Sequence, residues 1–182
     1  MSKKHMQSLE LPLDELRSGT AGITPEFGAC LAQAAAVCLD DQGHASPSIM
    51  PVAGEIDATA TITWESPERR AFRTWNDPEV ATEHGAYGIA SLLVPQISDY
   101  EVVERSRKGT GFDYWLGGKG ENEVLFQHKA RLEVSGIRNG AGALVEARVR
   151  KKIDQTKRSD GLLPAYVVVV EFGTPQSRIA KR

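Results

Sequence analysis

The sequence predicts an α/β fold in which helices flank a mixed β-sheet, and three patterns carry this prediction. Helix starts occur twice, as Thr-Pro-Glu at 24–26 and Asp-Pro-Glu at 77–79, where a capping side chain precedes proline and an acid. Residues 55–64 alternate apolar and polar side chains, which is typical of a strand with one buried face. Residues 165–172 form an apolar run rich in valine, which favours a central strand buried on both faces.

The composition is that of an ordinary globular protein. Of the 182 residues, 41% are hydrophobic and 25% are charged, which is typical of a chain with a packed core. No apolar run approaches the roughly 18 residues of a membrane-spanning helix, and the N-terminal sequence has no apolar segment typical of a signal peptide. We therefore expect a cytoplasmic protein without a membrane partner.

Residues 1–75 are predicted to form an N-terminal appendage made of a helix and a β-hairpin. Its segments are a loose lead-in, a helix, a loop, a strand and the partner strand of a hairpin, at 1–22, 24–43, 44–54, 55–64 and 69–75. The predicted role of this appendage is dimerisation or the binding of a protein partner.

Residues 76–182 are predicted to form the core, in the order helix, strand, strand, strand, helix, strand. The segments that carry this order are 77–94, 99–106, 112–116, 130–136, 141–157 and 165–172. The glycines between 109 and 120 are expected in hairpin turns, because they do not open a helix as phosphate-binding loops do. The short, polar and basic tail at 174–182 is predicted to lack regular structure.

Two acids on neighbouring predicted strands are the candidate functional residues. Asp113 is the only charge in the aromatic segment 112–116, and Glu133 shares one face of the next strand with Ser135. A buried carboxylate costs free energy unless it is paired, hydrogen-bonded or bound to a metal. Two such groups brought together favour a hard cation such as Mg²⁺, which prefers oxygen ligands.

Two other interpretations of these acids stay open. Both could lie at strand ends in water, or pair with Lys108, Lys129 or Arg131. A further acid, Glu83, stands near the start of the helix at 77–94, where it either complements the helix dipole or joins the site.

The charge distribution favours a nucleic-acid partner for one helix. The net charge is −2, and residues 1–65 hold three Lys or Arg against nine Asp or Glu, so the positive charge is concentrated further along the chain. Much of it lies on the helix at 141–157, which is therefore predicted to face phosphates, although a solvated helix face is the simpler alternative. The residues assigned to this contact are Arg148, Lys151, Lys152 and Gln155.

From residue 77 onward the chain resembles the PD-(D/E)XK nuclease superfamily, which has the restriction-endonuclease-like fold. The resemblance rests on the order of elements, on Gly-Phe-Asp-Tyr at 111–114 and on Leu-Glu-Val-Ser-Gly at 132–136, and it leaves the first 75 residues outside it. It implies that Asp113 and Glu133 bind Mg²⁺ or Mn²⁺, with Glu83 as a third ligand. The implied activity is metal-dependent hydrolysis of DNA by a homo-oligomer or a subunit of a protein complex.

The sequence departs from the family pattern at one position. Two residues after the acid of the motif the family has a lysine that orients the attacking water, and this chain has Ser135. Either the fold has lost its chemistry, or another group supplies the charge: Lys129 or Arg131 on the same strand face, or Lys152 or Gln155 from the next helix. The residues assigned to catalysis are Asp113, Glu133, Ser135 and Lys129.

Two other functional classes stay open on the sequence alone. One is a catalytically inactive subunit that serves as a scaffold in a DNA-processing or phage-defence complex, which Ser135 and the acidic residues 1–65 favour. The other is an unrelated α+β binding domain in which the acids are ordinary surface charges.

Overall fold

The computed structural model describes residues 7–120, 126–161 and 163–182, and its centre is a mixed sheet of eight strands. The strands are β1 (Gln7–Pro12), β2 (Ser48–Gly54), β3 (Ala58–Thr63), β4 (Tyr100–Arg105), β5 (Tyr114–Gly118), β6 (Ala130–Ile137), β7 (Ala165–Glu171) and β8 (Gln176–Lys181). They lie in the order β1-β3-β2-β8-β7-β6-β5-β4. The helices are α1 (Pro25–Asp41), α2 (Arg69–Thr74), α3 (Pro78–Ile97) and α4 (Gly142–Thr156). The predicted α/β class with a mixed sheet is confirmed.

Strand β7 is buried on both faces, as its valine-rich sequence predicts. Val168 and Val170 belong to the main core on the side of α1 and α3, whereas Val167 and Val169 belong to a smaller cluster under α4. Its neighbours in the sheet are β6, which runs parallel to it, and β8, which runs antiparallel. The sheet therefore carries a helical layer on each side of its centre.

Helix α3 packs between the sheet and α1, and its small residues allow the close approach. A side chain added at Gly85 would come within 3.0 Å of the backbone of Ala35 on α1. The sequence predicts that this helix ends before Pro95, but it continues to Ile97. Near its end, the Ser98 hydroxyl donates to the Val94 carbonyl oxygen, which satisfies one of the acceptors that a helix end leaves without partners.

The N-terminal residues continue the same sheet. Strand β1 pairs in parallel with β3, β3 pairs with β2, and β2 pairs in parallel with β8, so pairing runs without a break from residue 7 to the core strands. The hairpin partner of β3 is β2 and not the segment 69–75, of which Arg69–Thr74 form α2. The predicted loop at 44–54 is wrong from Ser48 onward, where β2 begins. The strand tolerates Pro51 because this residue lies in the part of β2 that β8 does not reach, where a missing N–H is tolerated.

The ends of the described chain are also more regular than predicted. Residues 7–22 form β1 and a 3₁₀ turn at Leu13–Ser18, with Leu13 and Leu16 fully buried. The polar tail forms β8, which inserts between β7 and β2. Backbone pairing on both sides orders this segment, and its buried Ser177 and Ile179 alternate with partly exposed residues.

We predict that Gly136→Ala destabilises the protein by about 1–3 kcal/mol, because an added methyl group would overlap the carbonyl oxygen of Thr82 on α3. Urea denaturation measures the change. Gly142→Ala is the matched control, since nothing lies within 4 Å of its added Cβ. Equal stability of the two variants would show that α3 and β6 are not in close contact.

Candidate active site

An open cleft of about 590 Å³ lies where β5 separates from β6. The two strands pair only through Tyr114–Leu116 and Ala130–Leu132. Strand β6 continues to Ile137, and beyond Leu132 its only partner strand among the described residues is β7. Helices α3 and α4 form the walls on either side of the free edge, and the candidate acids lie between them.

Asp113 takes the place of a neighbouring strand at this edge. Its backbone N–H donates to the Leu132 carbonyl at 2.8 Å, and its Oδ2 accepts the Val134 N–H at 2.8 Å. The side chain therefore satisfies a backbone donor that β5 no longer reaches. This contact holds the Asp113 carboxylate over β6.

Tyr87 of α3 links Asp113 to Glu83. Its hydroxyl oxygen lies 2.7 Å from Glu83 Oε1 and 3.1 Å from Asp113 Oδ1, so its one hydrogen can be donated to either carboxylate. Burial, the Asp113 charge and the two hydrogen bonds all raise the pKa of Tyr87 well above its usual range. The phenol therefore stays neutral and serves as a donor.

Glu133 is the most deeply buried acid of the cleft, with 1% of its surface exposed. Its Oε1 accepts from Lys152 Nζ at 2.5 Å and from Gln155 Nε2 at 3.0 Å, both of α4. Its Oε2 is buried and contacts no donor within the described chain. One oxygen of this carboxylate is thus satisfied and the other is not.

Asp113 raises the pKa of Glu133, whereas its contact with Glu133 lowers the pKa of Asp113. Burial, followed by the charge of Asp113, raises the pKa of Glu133 from 4.5 to about 7, and Lys152 opposes this only in part. Burial also raises the pKa of Asp113, against the lowering effects of the Val134 N–H and the Tyr87 hydroxyl. Above about pH 7, where Glu133 is ionised, the two carboxylates lie beside one ammonium group, that of Lys152.

The donor set fits a hard cation held by two carboxylates. Mg²⁺ is commonly bound through one or two carboxylates, with waters and substrate phosphate oxygens as its other ligands. The buried Oε2 of Glu133, which has no hydrogen-bond donor among the described residues and lies beside Asp113, would be one ligand of such an ion. No group of three or more His, Cys, Asp or Glu arranged to hold a metal occurs in the described residues, and Glu83 joins the site through Tyr87.

Ser135 is held by a cation. Its hydroxyl oxygen accepts from Arg148 Nη1 at 2.8 Å, and the same nitrogen lies 3.4 Å from the Gly136 carbonyl oxygen. A guanidinium cannot accept the serine proton, so this contact does not activate the hydroxyl as a nucleophile. The contact does anchor Arg148 at the mouth of the cleft.

Of the groups that could replace the motif lysine, only those on α4 reach the acids. Lys129 precedes β6 and does not line the cleft. Arg131 is 4% exposed, and its guanidinium donates to carbonyl groups of the turn that ends α4, at Thr156, Ser159 and Leu163. Lys152 and Gln155 instead contact Glu133 directly.

Three of the four helix residues assigned to nucleic acid line the cleft. Arg148, Lys152 and Gln155 have the spacing of one helix face and point towards Ser135 and Glu133. Lys151 is exposed and lies outside the cleft. Tyr87 was not predicted as a residue of the site. Its spacing of four residues from Glu83 puts both side chains on one face of α3, which could have indicated it.

Comparison of the chain with protein-family models, with curated proteins and with solved structures finds no match. The geometry of the cleft therefore carries the functional argument. In the described residues, no helix has both the length and the apolar character that crossing a membrane requires.

We predict that the free energy of unfolding falls as the pH rises from about 4.5 to about 7. In this window the unfolded chain releases the Glu133 proton while the folded chain keeps it, so deprotonation favours unfolding. We expect the Glu133 contribution to be on the order of 1–3 kcal/mol, present below this window and lost above it. Urea denaturation at several pH values measures it.

Glu133→Gln provides the control for this titration. The amide keeps an acceptor for Lys152 and Gln155 and has no charge, so the fall in stability across this window should be smaller in the variant. An unchanged pH profile would contradict the raised pKa of Glu133.

Proposed function

We propose that the protein is a Mg²⁺-dependent phosphodiesterase that hydrolyses DNA, with a core of the PD-(D/E)XK, restriction-endonuclease-like type. The observation that carries the proposal is the convergence of Asp113 and Glu133 at the free edge of β6, where Glu133 Oε2 has no hydrogen-bond donor among the described residues. Two carboxylates that lie beside a single ammonium group in an open cleft suit metal-assisted hydrolysis of a phosphate ester.

The order of elements supports the fold-level part of the proposal. Helix α3, strands β4, β5 and β6, helix α4 and strand β7 follow one another as the family pattern requires. Strands β4, β5 and β6 are antiparallel neighbours, and α4 connects the parallel pair β6 and β7. The two motif acids lie where β5 and β6 separate.

The bound cation would supply polarisation of the scissile phosphate and a lowered pKa of the attacking water. The chain's own residues position the groups around it. Tyr87 and the Val134 N–H fix the Asp113 carboxylate, and Gln155 fixes that of Glu133. These contacts keep both acids in place before substrate binds.

We assign Lys152 the part that the motif lysine plays in the family. Its ammonium group reaches the buried acid from α4, 2.5 Å from Glu133 Oε1, so the positive charge lies beside the carboxylate pair without a lysine at position 135. A fixed cation here would offset the negative charge that develops on the phosphate in the transition state. Arg148, anchored on Ser135, adds a second positive group at the mouth of the cleft.

A second candidate function is a non-catalytic subunit that keeps the cleft as a binding site. Two observations favour it: Lys152 already neutralises one oxygen of Glu133, and the described residues contain no three-acid metal group. Such a protein would bind a strand or a partner without cleaving it. Activity measurements separate the two functions.

We predict that millimolar Mg²⁺ raises the melting temperature at pH 8 and that Asp113→Asn removes the effect. A ligand at 100 times its Kd stabilises the folded state by about 2.7 kcal/mol, which corresponds to several degrees for a chain of this length. Differential scanning calorimetry measures the shift.

Asp154→Asn is the matched control for this measurement. Asp154 is an exposed acid of α4 that pairs with Lys157, so its loss should leave the Mg²⁺ effect intact. Equal shifts in the wild type and Asp113→Asn would place the cation elsewhere.

We predict that Glu133→Gln and Lys152→Gln each lower the rate of DNA cleavage by about 10²–10³, because each removes a charged group aimed at the reacting phosphate. Cleavage of labelled single- and double-stranded DNA with Mg²⁺ or Mn²⁺ gives the rate, and RNA tests the choice of substrate. Arg150→Gln, an exposed position on the same helix, should keep the wild-type rate. A folded wild type that binds Mg²⁺ and cleaves none of these substrates would favour the non-catalytic function.

A further inference from the structure

A second cavity of about 390 Å³ adjoins the cleft on the side away from Arg148. It lies under the turn that joins β4 and β5, and the two cavities share part of their walls. The shared residues are Glu83, Tyr87, Asp113 and Gln155. A ligand at the two candidate metal-binding acids can therefore extend into this second cavity.

Three cations line the second cavity: Arg105, Arg107 and Lys108. All three are exposed, and within the described chain none of their side chains forms an ion pair with an acid. The nearest acid along the strand, Glu104, pairs with His128 at 2.7 Å. Among the described residues, the acids in the wall are Glu83 and Asp113, on the side shared with the cleft.

The two cations of α4 that line the cleft, Arg148 and Lys152, differ because each already has a protein partner. Lys152 binds Glu133, and Arg148 binds Ser135 and Gly136. Free cations grouped around a concave surface raise the local potential and attract an anion, whereas cations with protein partners contribute less. The turn between β4 and β5 is thus the stronger anion-binding wall.

The turn is held in place by several contacts. Gly111, at φ +85°, lies so close to α4 that an added Cβ would come within 2.5 Å of the Gln155 carbonyl oxygen. Thr110 Oγ1 lies 2.6 Å from Ser106 Oγ and 2.9 Å from the Arg107 carbonyl oxygen. The basic residues therefore project from a fixed base.

Arg105 is held by aromatic rings. Its guanidinium carbon lies 5.9, 5.6 and 5.8 Å from the ring centres of Phe27, Tyr87 and Tyr114. Contacts of this kind fix the position of an arginine and leave its N–H groups available. Since Tyr87 also contacts Asp113, the same ring borders the acids and the cation.

We propose that this turn binds a second phosphate of a polynucleotide strand whose scissile phosphate lies at Asp113 and Glu133, with Arg107 and Lys108 as the contacting cations. The identity of the scissile position rests on the proposed function, whereas the binding of the strand to the turn does not. The ligand class is a strand with at least two phosphates. Contacts to the backbone give affinity and position without reading the base sequence.

Arg107→Gln/Lys108→Gln tests the binding. Fluorescence anisotropy of a labelled 12-nucleotide oligothymidylate is measured with the full chain in EDTA, so that no cleavage occurs, at salt concentrations from 50 to 200 mM. The double variant should bind about ten-fold more weakly at the lowest salt, and its plot of log K against log salt should be shallower by about 0.7, since one phosphate contact of a single strand is lost.

Arg69→Gln/Arg70→Gln is the matched control. It removes the same two charges from exposed positions on α2 that line neither cavity, so wild-type affinity and slope are expected. Equal affinities of the two double variants would overturn the proposal, as would a wild type that does not bind the oligonucleotide at all.

A comparison of substrates separates this inference from the proposed function. Bis-p-nitrophenyl phosphate has one phosphate and cannot occupy both cavities, so Arg107→Gln/Lys108→Gln should hydrolyse it at the wild-type rate while its KM for the 12-nucleotide strand rises. If the double variant binds the strand more weakly and the wild type cleaves neither substrate, the phosphate site is supported and the proposed hydrolysis is contradicted. If the wild type cleaves the strand and the double variant has the same KM, the hydrolysis is supported and the phosphate site is contradicted.

Discussion

The free edge of β6 beyond Leu132 is the constraint around which the candidate site is arranged. Because β5 departs there, the Val134 N–H needs another acceptor, and the Asp113 carboxylate supplies it. This places Asp113 beside Glu133, which is buried and has one oxygen without a donor in the part of the chain that the structure describes. The free-energy cost of burying two adjacent acids is reduced by Lys152, Gln155 and Tyr87. It is not removed, since the pKa of each acid is still raised. The two acids are therefore held in place, with raised pKa values, before a ligand binds.

The elements with strong local periodicity were predictable from the sequence. The apolar sequences of helix α3 and strand β7 predict that both are buried. The segments that carry Asp113 and Glu133 were expected to be neighbours because they follow each other in the chain. The N-terminal strand β2 and the C-terminal strand β8 were missed for the opposite reason. These two segments are strands because they pair with each other and with strands distant in the sequence. A polar or proline-containing segment gives no local sign of such pairing.

The site was predicted less completely than the strands that carry it. The position of Lys152 beside Glu133 was one of several open alternatives, because helix spacing shows which residues share a face but not which strand that face meets. Tyr87 reads as part of an apolar helix, and only the structure shows its hydroxyl between two acids. The cations of the β4–β5 turn lie in a short, irregular segment whose partners no local pattern indicates.

The pairing of β2 with β8 makes the two halves of the chain interdependent. A fragment restricted to residues 76–182 would keep the acids, but it would leave one edge of β8 bare and uncover the face of α3 that α1 protects. A bare strand edge beside exposed apolar surface invites pairing with other molecules. The half that carries the two acids therefore depends on the first 75 residues to cover its strand edge and its apolar helix face.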